Sequence, residues 1–145
     1  MTKQQLEVFA ETLHLTTHVW KNELDRRLRP LGLSRSKWTL LMTLSRGAQG
    51  ASQKALADQL GIEGATLVGL LDRLERDGLV ERRSAEDDRR VNAVHLSRKG
   101  QALIGKIREI AAGLRADLCS GVSQSELETA LRVLSQIKSR AEALQ

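Results

Sequence analysis

The chain has 145 residues, enough for one domain with an appendage, and its 41% hydrophobic and 28% charged residues are typical of a globular protein. Leucine is abundant, whereas there are one Phe, two Trp, no Tyr and one Pro, a composition that favours helices over a β-sandwich or barrel. The sequence has no apolar run of membrane-spanning length, no N-terminal signal pattern and a single cysteine, so we expect a cytoplasmic protein without a disulfide framework or a multi-cysteine zinc site.

The net charge of +5 is concentrated in two basic segments. Residues 20–51 contain seven basic and two acidic side chains, and residues 89–99 contain four basic side chains and no acidic one. Localised positive charge indicates an anionic partner such as nucleic acid. The alternative is a solvated surface without a partner, and charge alone leaves both interpretations open.

The first predicted element is a long amphipathic helix. Apolar residues recur every three or four positions from Leu6 to Leu28, which is the period of one helix face, and Pro30 ends the pattern. A helix of that length measures roughly 38 Å at 1.5 Å per residue, about the width of a domain of this size. We therefore expect its ends to project from the domain or to pack on something else.

Three shorter helices are predicted next, with serines at two of their starts and glycines at their ends. Ser34 is a candidate N-cap of the first, whose apolar face includes Trp38 and whose last turn is followed by Gly47. Ser52 opens the second, which ends at Gly61, and the third ends at Gly78.

Residues 53–72 have the spacing of a helix-turn-helix, in which two short helices cross around a tight turn. Ala57 is small where the helices cross, and Gly61 tolerates the left-handed backbone that begins the turn. The alternative is a different three-helix core with a glycine turn. The apolar residues placed to hold the crossing are Leu56, Leu60, Ile62, Leu67 and Leu70.

Two β-compatible segments, residues 79–83 and 91–96, flank the polar stretch SAEDDRR and predict a β-hairpin. A helix-turn-helix followed by a hairpin is a winged helix, whose second helix can enter the major groove of DNA. Arginine at the hairpin tip suits a narrow minor groove. Acidic residues there oppose binding unless Asp88 bonds a neighbouring arginine and fixes its direction, and the alternative is a solvated turn with local ion pairs.

The last third of the chain is predicted to be helical again. One apolar stripe runs from Leu103 to Leu118, Gly121 breaks it, and Ser123 caps a final helix with an apolar face from Leu127 onwards. The predicted fold class is therefore mainly α with a small β-hairpin (α+β), built on a winged helix-turn-helix.

The segments RLRPLGLSRSKWTLL, LADQLGIEGATLVGLLDRLERDGLVERR and DDRRVNAVHLSRKG resemble the MarR family of transcriptional regulators, closest to its SlyA-like branch. The family's wing signature is Asp-x-Arg, then Leu-Thr, then Gly at fixed spacing. This chain matches it with Asp88, Arg90, Leu96 and Gly100, and departs from it only with Ser97, which keeps a hydroxyl to cap the next helix.

The resemblance implies one MarR-type chain over residues 1–145, with a winged helix-turn-helix DNA-binding lobe at 34–97 and a helical dimerisation region at 1–30 and 98–145. It also implies a homodimer on a pseudo-palindromic operator in double-stranded DNA, without a cofactor, a metal or a catalytic site. Repression, activation and displacement of a silencing protein are all open outcomes of such binding.

The resemblance further implies which side chains contact DNA. Arg90 is expected in the minor groove, with Arg89 on a phosphate and Asp88 beside them. Arg35 and Lys37 match positions near the DNA backbone. The recognition-helix candidates for the major groove are Glu63, Gly64, Ala65, Thr66 and Arg73.

Gly69 departs from the SlyA-like branch, which often has a basic side chain at this position. We therefore expect affinity to depend more on the wing and on DNA shape. Close approach of the backbone to DNA and close approach to a neighbouring helix are both open explanations for the glycine.

The family's small effectors are aromatic carboxylates such as salicylate, bound between the dimer helices and the winged lobe. The resemblance implies such a pocket here, with His14, Trp20 and Trp38 as candidate lining residues. His14 and His18 lie four residues apart, but zinc requires at least three protein ligands, so a polar lining or plain surface is favoured over a metal site. Cys119 is expected to be buried in the core.

Two other classes of function remain as alternatives. A winged helix that binds protein rather than DNA is disfavoured by the two basic segments. An enzyme is disfavoured because the sequence has no nucleophile–base pair, phosphate-binding loop or metal-ligand set.

Overall fold

The computed structural model describes residues 1–84 and 92–145, and within them the chain forms a mainly helical fold with one small sheet. This confirms the predicted fold class. The elements are α1 (Lys3–Leu28), α2 (Arg35–Thr43), β1 (Ala51–Ser52), α3 (Gln53–Leu60), α4 (Gly64–Arg76), β2 (Val80–Ser84), β3 (Asn92–Leu96), α5 (Arg98–Leu118) and α6 (Gln124–Ala143).

Serine side chains set the starts of three helices, as predicted. Ser34, Ser52 and Ser123 each accept a hydrogen bond from the backbone N–H three residues later, which satisfies one of the unpaired donors of the first helical turn. Gly61 ends α3 in the left-handed conformation with φ of 65°. Its N–H donates a hydrogen bond to backbone carbonyl oxygens in the last turn of the helix. The predicted helix-turn-helix boundaries follow from these local bonds.

The backbone between the predicted helices is less regular than the apolar pattern suggests. A 3₁₀ turn, Arg29–Leu31, follows α1, because Pro30 is tolerated in the first turn of a new helical segment. After α2 the chain continues as a wide helical turn over Leu44–Ala48, inside which Gly47 has φ of 121°. The helix predicted to run up to Gly47 therefore ends at Thr43.

The sheet is antiparallel and has the strand order β1-β3-β2. β2 and β3 form the predicted hairpin, with Val80 opposite Leu96. β1 pairs along the other edge of β3, with Ala51 opposite Val94. The sequence pattern did not predict β1, because two residues are too few to show alternation. The predicted tip of the hairpin lies outside the described residues.

Leucines fill the core of the winged lobe. The cluster draws on α2, α3, α4 and the sheet, but Leu28 at the end of α1 and Ile104 and Ile107 on α5 belong to it as well. Its fully buried members include Leu40, Leu41, Leu44, Leu56, Leu67, Leu71 and Leu74. Packing of the lobe therefore depends on residues from both sides of the 34–97 segment.

The chain divides into two compact units, residues 1–112 and 113–145. The first contains the winged helix together with α1. The second contains the end of α5 and α6, which begins in a capping box formed by Ser123 and Glu126. Among the helices of the described residues, none is both long and apolar enough to cross a membrane.

Candidate nucleic-acid interface

Helix α4 has one buried and one exposed face. Leu67, Leu71 and Leu74 are fully buried, and Leu70 is nearly so. The opposite side is exposed, as a helix that docks on a partner requires. The predicted contact residues that lie exposed on or next to it are Glu63, Gly64, Ala65, Thr66 and Arg73.

The first turn of α4 is open to an approaching partner. Glu63 occupies the N-cap position, but its side chain makes no capping hydrogen bond, and Gly64 and Ala65 carry little or no side chain. The N–H groups of a first helical turn lack intrahelical partners and favour negative charge. The geometry of this turn is therefore compatible with a nearby phosphate.

Arg73 is available for contact with a partner. It is exposed, and its side chain makes no hydrogen bond or ion pair among residues 1–84 and 92–145. Thr66 lies seven residues earlier, two helical turns away on the same face. Both side chains line a concavity of about 250 Å³ to which Arg35 and Leu70 also contribute.

Arg35 and Lys37, the predicted backbone contacts, are engaged within the chain. Arg35 donates from Nε to Asp25 Oδ2 at 2.8 Å and from its terminal nitrogen to Asn22 Oδ1 at 2.8 Å. Lys37 Nζ lies 3.1 Å from Asp77 Oδ2. To bind a phosphate, each cation would have to share or release its carboxylate, so their contacts with DNA stay predictions.

Asp25 joins α1 to α2. Besides the bond from Arg35, it accepts a hydrogen bond from Trp38 Nε1 at 2.8 Å. Burial by itself raises the pKa of Asp25. The hydrogen bonds from Arg35 and Trp38 lower it, and together the lowering effects are larger, so the pKa lies below the ordinary value of 3.8. The carboxylate is thus held charged between the two helices.

The wing can be followed only to its strands. Asp88, Arg89 and Arg90 lie outside the described residues, so their predicted contacts with DNA stay predictions. β2 and β3, which lead to them, pair with each other along the whole of β2, from Val80 to Ser84.

β2 carries an ion-pair network that sequence reasoning missed. Arg82 donates to Asp72 Oδ1 at 2.6 Å and to Glu75 Oε2 at 2.8 Å from Nε, which ties the wing strand to α4. The hydrogen bond to Glu75 is the main cause that raises the pKa of Arg82 above its ordinary value. Partners seven and ten residues apart in different elements produce no periodic signal in the sequence.

Gly69, inside α4, and Gly100, in the first turn of α5, have different steric constraints. A Cβ added to Gly69 would meet no atom of the described residues within 4 Å, so crowding by a neighbouring helix of this chain does not explain that glycine. A Cβ added to Gly100 would lie 2.1 Å from the carbonyl oxygen of Leu79. Ser97 Oγ accepts from Gly100 N at 2.9 Å, which confirms the predicted cap of α5.

The predicted effector-pocket residues have separate surroundings. His14 is exposed, Trp20 is half-buried, and Trp38 packs against the core. A concavity of about 600 Å³ lies beside the turn between α1 and α2, and none of these three residues lines it. Its lining includes Lys37, Asp77, Lys99, Lys106, Leu79 and Leu103.

Among the described residues, no three His, Cys, Asp or Glu side chains are grouped as metal ligands would be. The ring of His18 instead lies 3.1 Å from the amide nitrogen of Asn22. Cys119 is half-buried, whereas a buried core position was expected, because it follows the last turn of α5.

A family model described as MarR family matches residues 31–91 of this chain. Among solved structures, the chain is similar to transcriptional regulator PA3341, with 41% sequence identity over 93% of this chain and 98% of that one, at a TM-score of 0.78. It is similar to a mutant of MepR from S. aureus bound to an oligodeoxyribonucleotide, with 26% identity over 94% and 98% of the two chains and a TM-score of 0.66. Wild-type MarR from E. coli, 23% identical over 88% and 94% of the chains, shares the fold at a TM-score of 0.80.

Proposed function

Because this chain belongs to the MarR family of transcriptional regulators, we propose that it is a sequence-specific DNA-binding protein of the SlyA-like branch whose affinity for DNA is modulated by a small ligand. The observation that supports this most directly is the exposed face of α4, with Thr66 and with Arg73 free of partners among the described residues. The complex of the similar MepR mutant with an oligodeoxyribonucleotide supports DNA as the partner.

In this proposal α4 lies in the major groove, which is wide enough for one helix. Arg73 is suited to a bidentate hydrogen bond with guanine, and Thr66 to a base edge or a thymine methyl group. Glu63, Gly64 and Ala65 bring the start of the helix close to the bases or the backbone. With no side chain at Gly69, shape recognition carries more of the specificity.

The wing and α2 supply the remaining contacts. Arg90 enters the minor groove, Arg89 binds a phosphate, and Asp88 orients the neighbouring arginine. Arg35 and Lys37 approach the DNA backbone from the start of α2. Such phosphate contacts fix the register of the protein on the duplex, whereas α4 reads the bases.

We propose that two copies associate through residues 1–30 and 98–145 and present their 34–97 lobes to one pseudo-palindromic site. In α1, Leu6 and Phe9 are 48% and 42% exposed, and in α6, Leu131 is 56% exposed. Apolar helix faces of this kind favour burial against a partner. A dimer would then place two α4 helices about one DNA turn apart.

The proposed effector is a small aromatic carboxylate, with His14, Trp20 and Trp38 as the predicted lining of its site. A ligand shifts the separation of the two lobes only by its difference in affinity for the two arrangements. Calorimetric titration with salicylate tests the location: Trp38→Phe should weaken binding, and Lys106→Gln should not. The opposite result would assign the ligand to the concavity beside the turn between α1 and α2, which Lys106 lines.

DNA binding is tested by fluorescence anisotropy with a labelled random duplex and with genomic fragments selected by the protein. We expect measurable binding to random duplex at low salt, a steep loss of affinity as salt rises, and tighter binding to selected fragments. A protein that binds neither duplex at low salt would favour the alternative of a winged helix that binds protein.

A further inference from the structure

One arginine of the wing strand points towards the recognition helix. Side chains alternate along a strand, so Arg82 shares a face of β2 with Val80, which is 1% exposed in the core. Glu81 and Arg83 lie on the other face and pair with each other at 2.6 Å. Alternation therefore directs Arg82, and not Arg83, onto α4.

The acceptors of Arg82 are both carboxylates of α4. Its terminal nitrogen lies 2.6 Å from Asp72 and 2.5 Å from Glu75, and a second bond to Glu75 runs from Nε at 2.8 Å. The Arg82 side chain is 22% exposed, whereas those of Asp72 and Glu75 are 48% and 39% exposed. The guanidinium therefore lies behind the two acids, which face outwards.

Asp72 lies on the exposed face of α4, which the proposed function assigns to DNA. At 3.6 residues per turn, it follows Ala65 and Gly69 along one outward stripe, and Arg76 comes next. An uncompensated carboxylate at this position would repel phosphates. Residues 52–72 contain three acidic side chains, Asp72 among them, and one basic side chain. A cation held against Asp72 and Glu75 removes most of that repulsion.

We propose that Arg82 is a positioning residue that acts through Asp72 and Glu75: it is their internal counter-ion, and it allows the outward face of α4 to approach DNA. The inference rests on the proposed binding of DNA by α4. Arg82 itself does not contact DNA in this account. Its effect on affinity therefore depends entirely on the presence of the two carboxylates.

The test is a cycle of variants in the full-length protein, measured by anisotropy with the same duplexes. Arg82→Gln should weaken binding about tenfold, equivalent to 1.4 kcal/mol. Adding Asp72→Asn and Glu75→Gln to that variant should restore affinity to within about twofold of wild type, because the acids that needed the counter-ion are gone. Arg82→Lys keeps the charge without the bidentate geometry, so its affinity for DNA should lie between those of Arg82→Gln and wild type.

Arg26→Gln is the matched control, since Arg26 forms a similar ion pair with Glu23 on α1 at 2.6 Å and its loss changes the net charge equally. It should leave affinity within about twofold of wild type. Asp72→Asn with Glu75→Gln in the presence of Arg82 measures the gain in affinity that loss of two negative charges causes by itself. If these two changes raise affinity by the same factor in wild type and in Arg82→Gln, Arg82 contacts DNA directly or only stabilises the fold, and the inference is wrong. Thermal unfolding of every variant identifies loss of folding. If wild type itself binds no duplex, the proposed function fails instead.

Discussion

The carboxylate of Asp25 makes stability depend on pH in a defined direction. Its pKa is lowered in the folded chain, so its contribution is present above the unfolded value of about 3.8 and is lost as pH falls through the folded pKa. We expect Asp25→Asn to reduce the loss of stability between about pH 5 and pH 2, measured by urea unfolding at each pH.

The control for this prediction is Glu142→Gln, which removes a carboxylate from an exposed pair with Lys138 at 3.6 Å. Exposed pairs of this kind contribute little to stability. An Asp25→Asn variant whose acid dependence equals that of wild type would show that Arg35 and Trp38 do not hold the carboxylate in its charged form.

Arg90 is the wing residue for which the sequence predicts the largest effect. Arg90→Ala should weaken binding to a selected DNA fragment by about 1.4 kcal/mol or more, at least tenfold, while the protein keeps its oligomeric state. Gel shift and size-exclusion chromatography measure the two properties separately. Wild-type affinity in this variant would remove Arg90 from the interface.

Lys37 is predicted to contact a phosphate although it pairs with Asp77. Lys37→Ala should weaken binding to all sequences alike and flatten the slope of log affinity against log salt by about one unit. Asp77→Asn keeps the ammonium group and serves as the control, with a slope equal to that of wild type. An unchanged slope in Lys37→Ala would remove Lys37 from the predicted contacts with DNA.

The junction between the wing and α5 depends on close approach of two backbones. Ser97 N donates to Leu79 O at 3.0 Å, and Ser97 Oγ donates to Gly78 O at 2.6 Å. An added Cβ at Gly100 would overlap the same Leu79 carbonyl. Gly100→Ala should therefore lower the free energy of unfolding by about 1–3 kcal/mol in urea denaturation.

Gly69→Ala is the control for this substitution, because its Cβ would enter open space within the described chain. In a helix interior the change should raise stability by up to about 1 kcal/mol. Equal effects of the two substitutions would mean that Leu79 does not constrain position 100.

The elements that the sequence predicts are those specified by neighbours along the chain. Apolar residues at helical spacing and serine caps such as Ser52 depend on local geometry, so they appear in the sequence. β1 does not, because Ala51 pairs only once β3 has folded beside it. Likewise, the pair between Lys37 and Asp77 joins residues 40 positions apart, and only the folded core brings them together.

The sequence predicted which residues of the candidate interface are exposed, but not which of its cations are paired within the chain. Exposure of Thr66 and Arg73 follows from the helical period that buries Leu67, Leu70, Leu71 and Leu74. The environment of Arg35 and the network around Arg82 come from contacts between elements, so the residue types alone gave no sign that these cations already have partners.

The two compact units each leave apolar side chains exposed. α1 does so in residues 1–112, and α6 does so in residues 113–145, where Leu127, Leu131 and Leu134 are 40% to 56% exposed at helical spacing. The free energy gained by burying such surfaces is the physical basis for expecting two copies to associate. Association also supplies the second recognition helix that a pseudo-palindromic site requires.

Sedimentation velocity of the protein with a labelled duplex, chosen from the genomic fragments that it selects, tests both parts of this account together. We predict a species of twice 16.1 kDa in the absence of DNA and two chains on each duplex, with binding that weakens as salt rises. A folded single chain that persists at micromolar concentration, or a protein that leaves the duplex free at low salt, would contradict it.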